Sequence, residues 1–383
     1  MSFFTGEFFF TVFTLLMIGA LILGLLQLPL KWYNLLTSAL IIVLVLKDTP
    51  NALLYFGIYF VVELALVKIY EKLRKKYGRN IVIYRVFVFL TLIPLIMFKL
   101  CEIDCLKDMG WFQFIGISYL TFRVVQIIIE TYDGVIEKTG VLDFTVFLIF
   151  FPTFSCGPID RSRRFTEDFE KKYERAEYLE LYGIGLEKLF LGLVYKFVLA
   201  SAFHRLLEMI VRRTFLHMTA YAYAYGLYMF FDFAGYSLMA VGTAYMLGIK
   251  VPDNFNKPFI STDMKDFWAR WHISLSEWFR DFIFTRFIMT SMKKKRFKTR
   301  LTTASVGFMI NMFVMGIWHG LSIQYILYGL YHGALLALTE IYQKKSKFYK
   351  KNRKKKWYKF ISWGITINLV MLGFLIFSGH LIH

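Results

Sequence analysis

Cysteine is scarce in this chain, with three residues in 383. Cys101 and Cys105 form a C-x-x-x-C pair in the acidic stretch CEIDC, with no Cys or His partners at zinc-ligand spacing. That spacing is also awkward for a disulfide on a helix. Cys156 stands alone in FSCGPI, with no base nearby in sequence, so all three thiols read as structural. Acids are in short supply too: 27 Asp and Glu face 46 Lys and Arg, for a formal net charge of +19. No Pro/Ser-rich linker, no repeat of fixed period and no polar stretch long enough for a soluble domain interrupts the chain. A single domain over 1–383 is the expectation.

What the chain has in excess is apolar surface. It is 57% hydrophobic and 19% aromatic, with a mean hydropathy of +0.51. A soluble protein of this length needs more polar surface, and runs of about 20 apolar residues mark spanning helices. Such runs fall at or near 8–28, 52–67, 81–98, 112–129, 144–154, 189–202, 220–247, 306–319, 323–338 and 360–377. The fold class is therefore all-α, a polytopic integral membrane protein. The first run is too long to read as a cleaved signal peptide. It also lacks a basic start and a small-residue cleavage site, and is expected to remain as a helix.

The positive charge is clustered at 68–79, 161–175, 293–300 and 344–359, always beside an apolar run. Cytoplasmic loops of membrane proteins collect Lys and Arg in this way, so the charge reports topology and a lipid bilayer, not nucleic acid. Counting from these loops places both termini outside.

Several stretches depart from a plain span. The run 81–98 contains Pro94, tolerable where neighbouring helices satisfy the freed carbonyl. Ser118, Tyr119, Thr121, Arg123, Gln126 and Glu130 recur on one side of the next helix, as a polar helix–helix seam or as a cavity wall. Pro152, Gly157 and Pro158 break the run from 144, which predicts a bent or re-entrant element. The charged stretch 160–175 is expected at the surface. Asp232, within FFDFAGYS, is an acid among aromatics and needs a partner, a proton or water. The arginines of the stretch 266–281, Arg270 and Arg280, are its candidate partners. PDNFNKPF at 252–259 is turn chemistry.

One polar cassette stands out, DFWARWHISLSEWFRD at 266–281. Ionisable groups in a membrane protein are costly unless they face protein, a cavity or water, so such a cluster marks a functional site. His272 lies at its centre, and Arg270, Trp271, Ser276 and Arg280 are candidates, with Asp232 and Trp318, to line a substrate path. A Ser276–His272 nucleophile pair has suitable spacing but no third member. Residues 282–292 are apolar on most positions and run into KKKRFKTR, the pattern of an interfacial helix with a basic end.

Of seven histidines, His380 and His383 belong to the tail, His204 and His217 to span ends, and His332 to a packed apolar segment. His319 differs. It is expected deep in an apolar span, in GIWHG, where flanking glycines leave room beside the imidazole. Imidazole titrates near neutrality and can take and return a proton. His272 and His319 are 47 positions apart, without metal-ligand spacing, and no metal is expected.

FWARWHISLSEWFRDF and MGIWHG resemble the two signature blocks of the membrane-bound O-acyltransferases. FFDFAGYS, NFNKPF and FFPTFSCGPIDRSRRF resemble further blocks of its bacterial branch, and GISYLTFRVVQ, ETYDG and GPIDR those of its teichoic-acid D-alanylation members. The resemblance implies a ring of about eleven membrane helices, with short and re-entrant helices, around a central funnel. It implies transfer of D-alanine from a phosphopantetheine thioester on a cytoplasmic D-alanyl carrier protein to hydroxyls of lipoteichoic acid outside. The chain would need no cofactor of its own, because the carrier supplies the phosphopantetheine arm. A small single-span membrane partner is also implied.

His319 would be the general base, and His272 with Arg270 would orient the acyl donor or stabilise its oxyanion. Acyl carrier proteins are acidic, so Phe287, Ile288, Met292, Lys293, Lys294 and Lys295 are candidates to dock one, with attachment to anionic lipid as the alternative. Alginate-type polysaccharide O-acetyltransferases share both histidine blocks and remain an alternative reading. A transporter or lipid translocase is a more distant one.

Overall fold

The computed structural model describes residues 3–103, 106, 109–210 and 214–382. Cys105 and His383, considered above, lie outside the described residues. Those residues are overwhelmingly helical and hold no β-strand, only an isolated antiparallel bridge between Phe255 and Trp271. The all-α expectation is met. Among the described residues, five helices are long and apolar enough to cross a membrane: Glu7–Leu25, Ala52–Tyr77, Ile81–Leu100, Arg300–His319 and Lys356–Phe377.

The chain divides into two compact units, Met1–Leu193 with Tyr236–Pro252, and Val194–Gly235 with Asp253–His383. The first holds α1 (Glu7–Leu25), α2 (Lys31–Leu46), α3 (Ala52–Tyr77), α4 (Ile81–Leu100) and α5 (Ile117–Asp133). It continues with α6 (Val141–Ile149), α7 (Ser162–Glu170) and α8 (Arg175–Leu193). The apolar run at 52–67 and the basic stretch after it are one helix, α3. Pro94 sits inside α4.

Helix α5 is buried on nearly every side. One member of its polar stripe braces backbone: Arg123 is fully buried and donates to the carbonyls of Phe147 (2.6 Å), Leu148 (3.3 Å) and Thr153. Those carbonyls belong to the broken stretch where α6 ends and a 3-10 turn, Phe151–Thr153, begins. A guanidinium there satisfies backbone groups that the broken helix leaves open. Gly116, just before α5, has φ +96° and lies against the Phe154 carbonyl, so a side chain has neither the conformation nor the room.

The stretch 160–175 is less exposed than its charge predicts. Asp160 is buried and paired with Arg164, and Phe165 and Phe169 turn inward from α7. Burial pushes the Asp160 carboxyl above the usual carboxylate range, with Arg164 pulling it back.

From α8 the helical path continues through a widened π-type turn, Val194–Ala200, into α9 (Ser201–Met209). The 32-residue α10 (Phe215–Met246) follows, divided between the units before Tyr236. The second unit also holds α11 (Met264–Trp268), α12 (Ile273–Phe279), α13 (Thr285–Lys293) and α14 (Arg300–His319). It ends with α15 (Ile323–Lys345), α16 (Lys347–Asn352) and α17 (Lys356–Phe377). A π-type segment, Arg280–Phe284, joins α12 to α13, so the cassette flows into the basic-ended helix as one bent arm.

Helices α14 and α15 meet backbone to backbone. A Cβ on Gly316 would lie 2.5 Å from the Tyr325 carbonyl, and one on Gly329 would lie about as close to that of Met312. Small residues permit this approach, which van der Waals contact and the short turn after His319 then stabilise.

Candidate active site

The cassette is two short helices around a sharp bend. Met264–Trp268 is capped by Asp263, whose carboxylate accepts from the amides of Lys265 (2.9 Å) and Asp266 (3.0 Å). The chain then turns, and His272 sits at φ 45°, ψ 55°, in the left-handed region that residues with side chains rarely adopt. Strain of this kind persists only where the surroundings enforce it. Here the loop 253–256 does so. The Arg270 carbonyl accepts from the Asn256 amide (3.0 Å), and the Ile273 amide donates to the Asn254 carbonyl (2.9 Å). The Asn254 side chain, itself buried, accepts from both the amide (3.3 Å) and the hydroxyl (2.6 Å) of Ser274.

His272 is 3% exposed, with the Phe233 ring edge-on at 4.7 Å. His319 is the last residue of α14, not the middle of a span, and Gly320 ends the helix behind it. It is half-buried within an aromatic shell: Trp318 at 4.7 Å, Phe377 at 5.1 Å, Tyr328 at 6.2 Å and Tyr325 at 6.3 Å. The two histidine blocks, 47 positions apart in sequence, meet on α17, where Trp271 packs on Phe374 (4.9 Å) and His319 packs one turn along on Phe377 (5.1 Å).

The other candidates divide. Arg270 gives its guanidinium to Asp266 (2.7 Å) and to the Asn256 carbonyl (3.3 Å), which locks the bend. Trp271, expected along a substrate path, is instead packed among the rings of Phe255, Phe267 and Phe374. The Ser276 hydroxyl donates to the Trp271 carbonyl (3.1 Å). Asp232 is paired with Lys196, not with an arginine of the cassette. The lone cation in the run 189–202 was the available signal, and 36 positions hid the pairing.

Beside α12 lies a cavity of about 320 Å³. Trp268, Ile273, Phe308, Met312 and Met315 make it largely apolar, with Lys265, Ser276, Glu277, Arg280 and Asn311 as polar points. Arg280 is held by Asp281 (3.0 Å) and Glu277 (3.5 Å). Asn311 is buried, and its amide oxygen has no protein partner among the described residues. A buried unpaired amide in a cavity wall is a point where a polar ligand gains a hydrogen bond.

On α13, Ile288 was expected to face outward. It packs instead on α14, where a Cβ at Gly307 would lie 2.9 Å from it. Phe287 contacts Phe297 at 6.3 Å. The outward apolar positions are Met289, 67% exposed, and Met292, 43% exposed, followed by exposed Lys293, Lys294 and Lys295.

The model of the MBOAT, membrane-bound O-acyltransferase family, matches residues 52–382. The chain belongs to the membrane-bound O-acyltransferase family. Its relatives narrow the branch. A teichoic acid D-alanyltransferase of Bacillus subtilis is 38% identical over 98% of this chain and 97% of its own length. One from Streptococcus thermophilus is 42% identical over 91% of this chain and 88% of its own. A probable alginate O-acetylase of Pseudomonas syringae is 31% identical, but over 70% of this chain and 49% of the relative. Both signature blocks of this O-acyltransferase fall in the second unit.

Proposed function

We propose that this O-acyltransferase moves D-alanyl groups onto hydroxyls of teichoic acid. The observation that carries an acyl-transfer reading is the meeting of both histidine blocks on α17, Trp271 against Phe374 at 4.9 Å and His319 against Phe377 at 5.1 Å. Near-full-length likeness to two named D-alanyltransferases selects the acyl group and acceptor over the O-acetylase alternative, whose likeness covers a smaller share of the chain.

The donor is a D-alanyl thioester on the phosphopantetheine arm of a cytoplasmic carrier protein. Its amides suit Asn311 and its methylenes suit the walls of the cavity beside α12. The acidic carrier docks on Met289, Met292 and Lys293 to Lys295. His319 takes the proton of the acceptor hydroxyl as that oxygen attacks the thioester carbonyl. The tetrahedral centre collapses, the C–S bond breaks, and the imidazolium returns the proton to the leaving thiolate. His272 orients the donor from its braced bend, and Arg270 acts through the bend as a positioning residue.

Helix α14 starts beside the basic stretch 293–300 and ends at His319. Its 20 residues span roughly 30 Å at 1.5 Å each. With the basic end on the cytoplasmic side of the cell membrane, His319 lies toward the outer face, where the acceptor is, and the N-terminus is outside. A small single-span protein beside the chain completes the delivery of the acyl group.

The test is His319→Ala in cells lacking the native copy. D-alanine ester on teichoic acid falls at least about a hundredfold, the size of a lost general base, while the amount of protein in the membrane is unchanged. Ester content near wild type would overturn the assignment.

A further inference from the structure

The basic stretch 344–359 carries ten Lys and Arg and no acid. Here the chain turns from α15 through α16 into α17, and the turn bounds a cavity of about 420 Å³. Arg353 and Lys359 stand in its wall, and neither pairs with a carboxylate among the described residues. Asp263 is the single acid lining it, and its carboxylate is already engaged by the amides of Lys265 and Asp266 and by Gln343 (3.0 Å).

Phenols mark the same end. Tyr358 donates to the Tyr342 oxygen at 3.3 Å, and the Arg353 guanidinium lies 6.0 Å over the Tyr349 ring. The other wall descends α17 through Ile361, Ile365 and Leu369, and its two hydroxyls already donate to backbone carbonyls, Ser362 to that of Thr262 (2.6 Å) and Thr366 to that of Ser362 (2.8 Å). Trp357 and Trp363 are exposed on that helix, where interfacial aromatics belong.

A cavity that is cationic and hydroxylated at one end and apolar along the other has the polarity profile of a phospholipid. A soluble phosphate would use only the polar end. We propose that this cavity holds one anionic glycerophospholipid, its phosphodiester between Arg353 and Lys359 and its acyl chains against Ile365 and Leu369. The leaflet on the Lys/Arg-rich side of a membrane is the one rich in anionic lipid. The proposal does not rest on the acyl-transfer reading.

The experiment uses the full-length protein, stripped of lipid in detergent. It is titrated with phosphatidylglycerol and with phosphatidylcholine of the same acyl chains, and retained lipid is measured by native mass spectrometry. One phosphatidylglycerol is expected to remain bound where phosphatidylcholine does not. Arg353→Ala with Lys359→Ala weakens that binding roughly twenty-five-fold, at about fivefold per cation.

Lys350→Ala with Lys354→Ala removes equal charge from the same loop outside the cavity and leaves binding unchanged. Lys359→Glu, a single exposed change, also weakens binding while keeping the unfolding temperature. Equal loss from the two alanine pairs would show diffuse attraction and overturn the site. So would equal retention of phosphatidylcholine, or displacement of the lipid by millimolar inorganic phosphate.

Discussion

The Asn254 side chain holds Ser274 twice, accepting from its amide and from its hydroxyl. One residue earlier, the Ile273 amide donates to the Asn254 carbonyl. Three donors from the start of α12 thus converge on one asparagine. The left-handed backbone of His272 is fixed from outside its own helix. The block NFNKPF is, in structural terms, the brace of the histidine cassette.

Asn254→Ala takes that acceptor from the buried Ser274 donors, a loss of about 1–3 kcal/mol. Thermal unfolding in detergent should shift down, and D-alanine incorporation should fall because His272 is released. Asn254→Asp keeps the acceptor and should retain most of the stability. Equal loss from the two substitutions would argue against the brace.

The Lys196–Asp232 pair is partly exposed, with side chains 18% and 40% accessible, so its net contribution is about 1 kcal/mol or less. Lys196→Ala and Asp232→Asn should each lower stability modestly, and the double variant should lose less than the two separately. Additive losses in this cycle would mean that the pair does not couple.

Ile288 and Met289 are neighbours with opposite tasks. Ile288→Asp places a carboxylate against Gly307 and Phe284, and should lower the amount of folded protein. Met289→Asp, at an exposed position, should leave stability alone and weaken carrier-protein binding about tenfold, as truncation of an interface anchor does. Pull-down of the carrier beside an unfolding measurement separates them. Unchanged carrier binding by Met289→Asp would return α13 to lipid attachment alone.

Gly329→Val forces a branched side chain against the backbone of α14 at Met312 and Gly316. Overpacking of this kind costs about 1–3 kcal/mol and must part the helices. Because His319 ends α14 at that contact, transfer should fall more steeply than membrane level. Wild-type activity would show that the close approach does not position the histidine.

Much of this protein was legible in its residues. Apolar runs and basic clusters give an all-α membrane chain, because a bilayer admits only backbones that satisfy themselves within a helix or a closed barrel. The two histidine blocks pointed to the family, and proline and glycine at 152–158 marked the broken helix. Tertiary structure decided which polar residues face each other. Sequence spacing could not pair Lys196 with Asp232, turn Ile288 inward, or commit Arg123 to the carbonyls of a broken helix. Nor could it place His319 at a helix end, with α17 joining its aromatic shell to the block that holds His272. Those outcomes depend on where separate helices cross and how closely glycines let them approach, and a burial pattern along one helix does not contain that information.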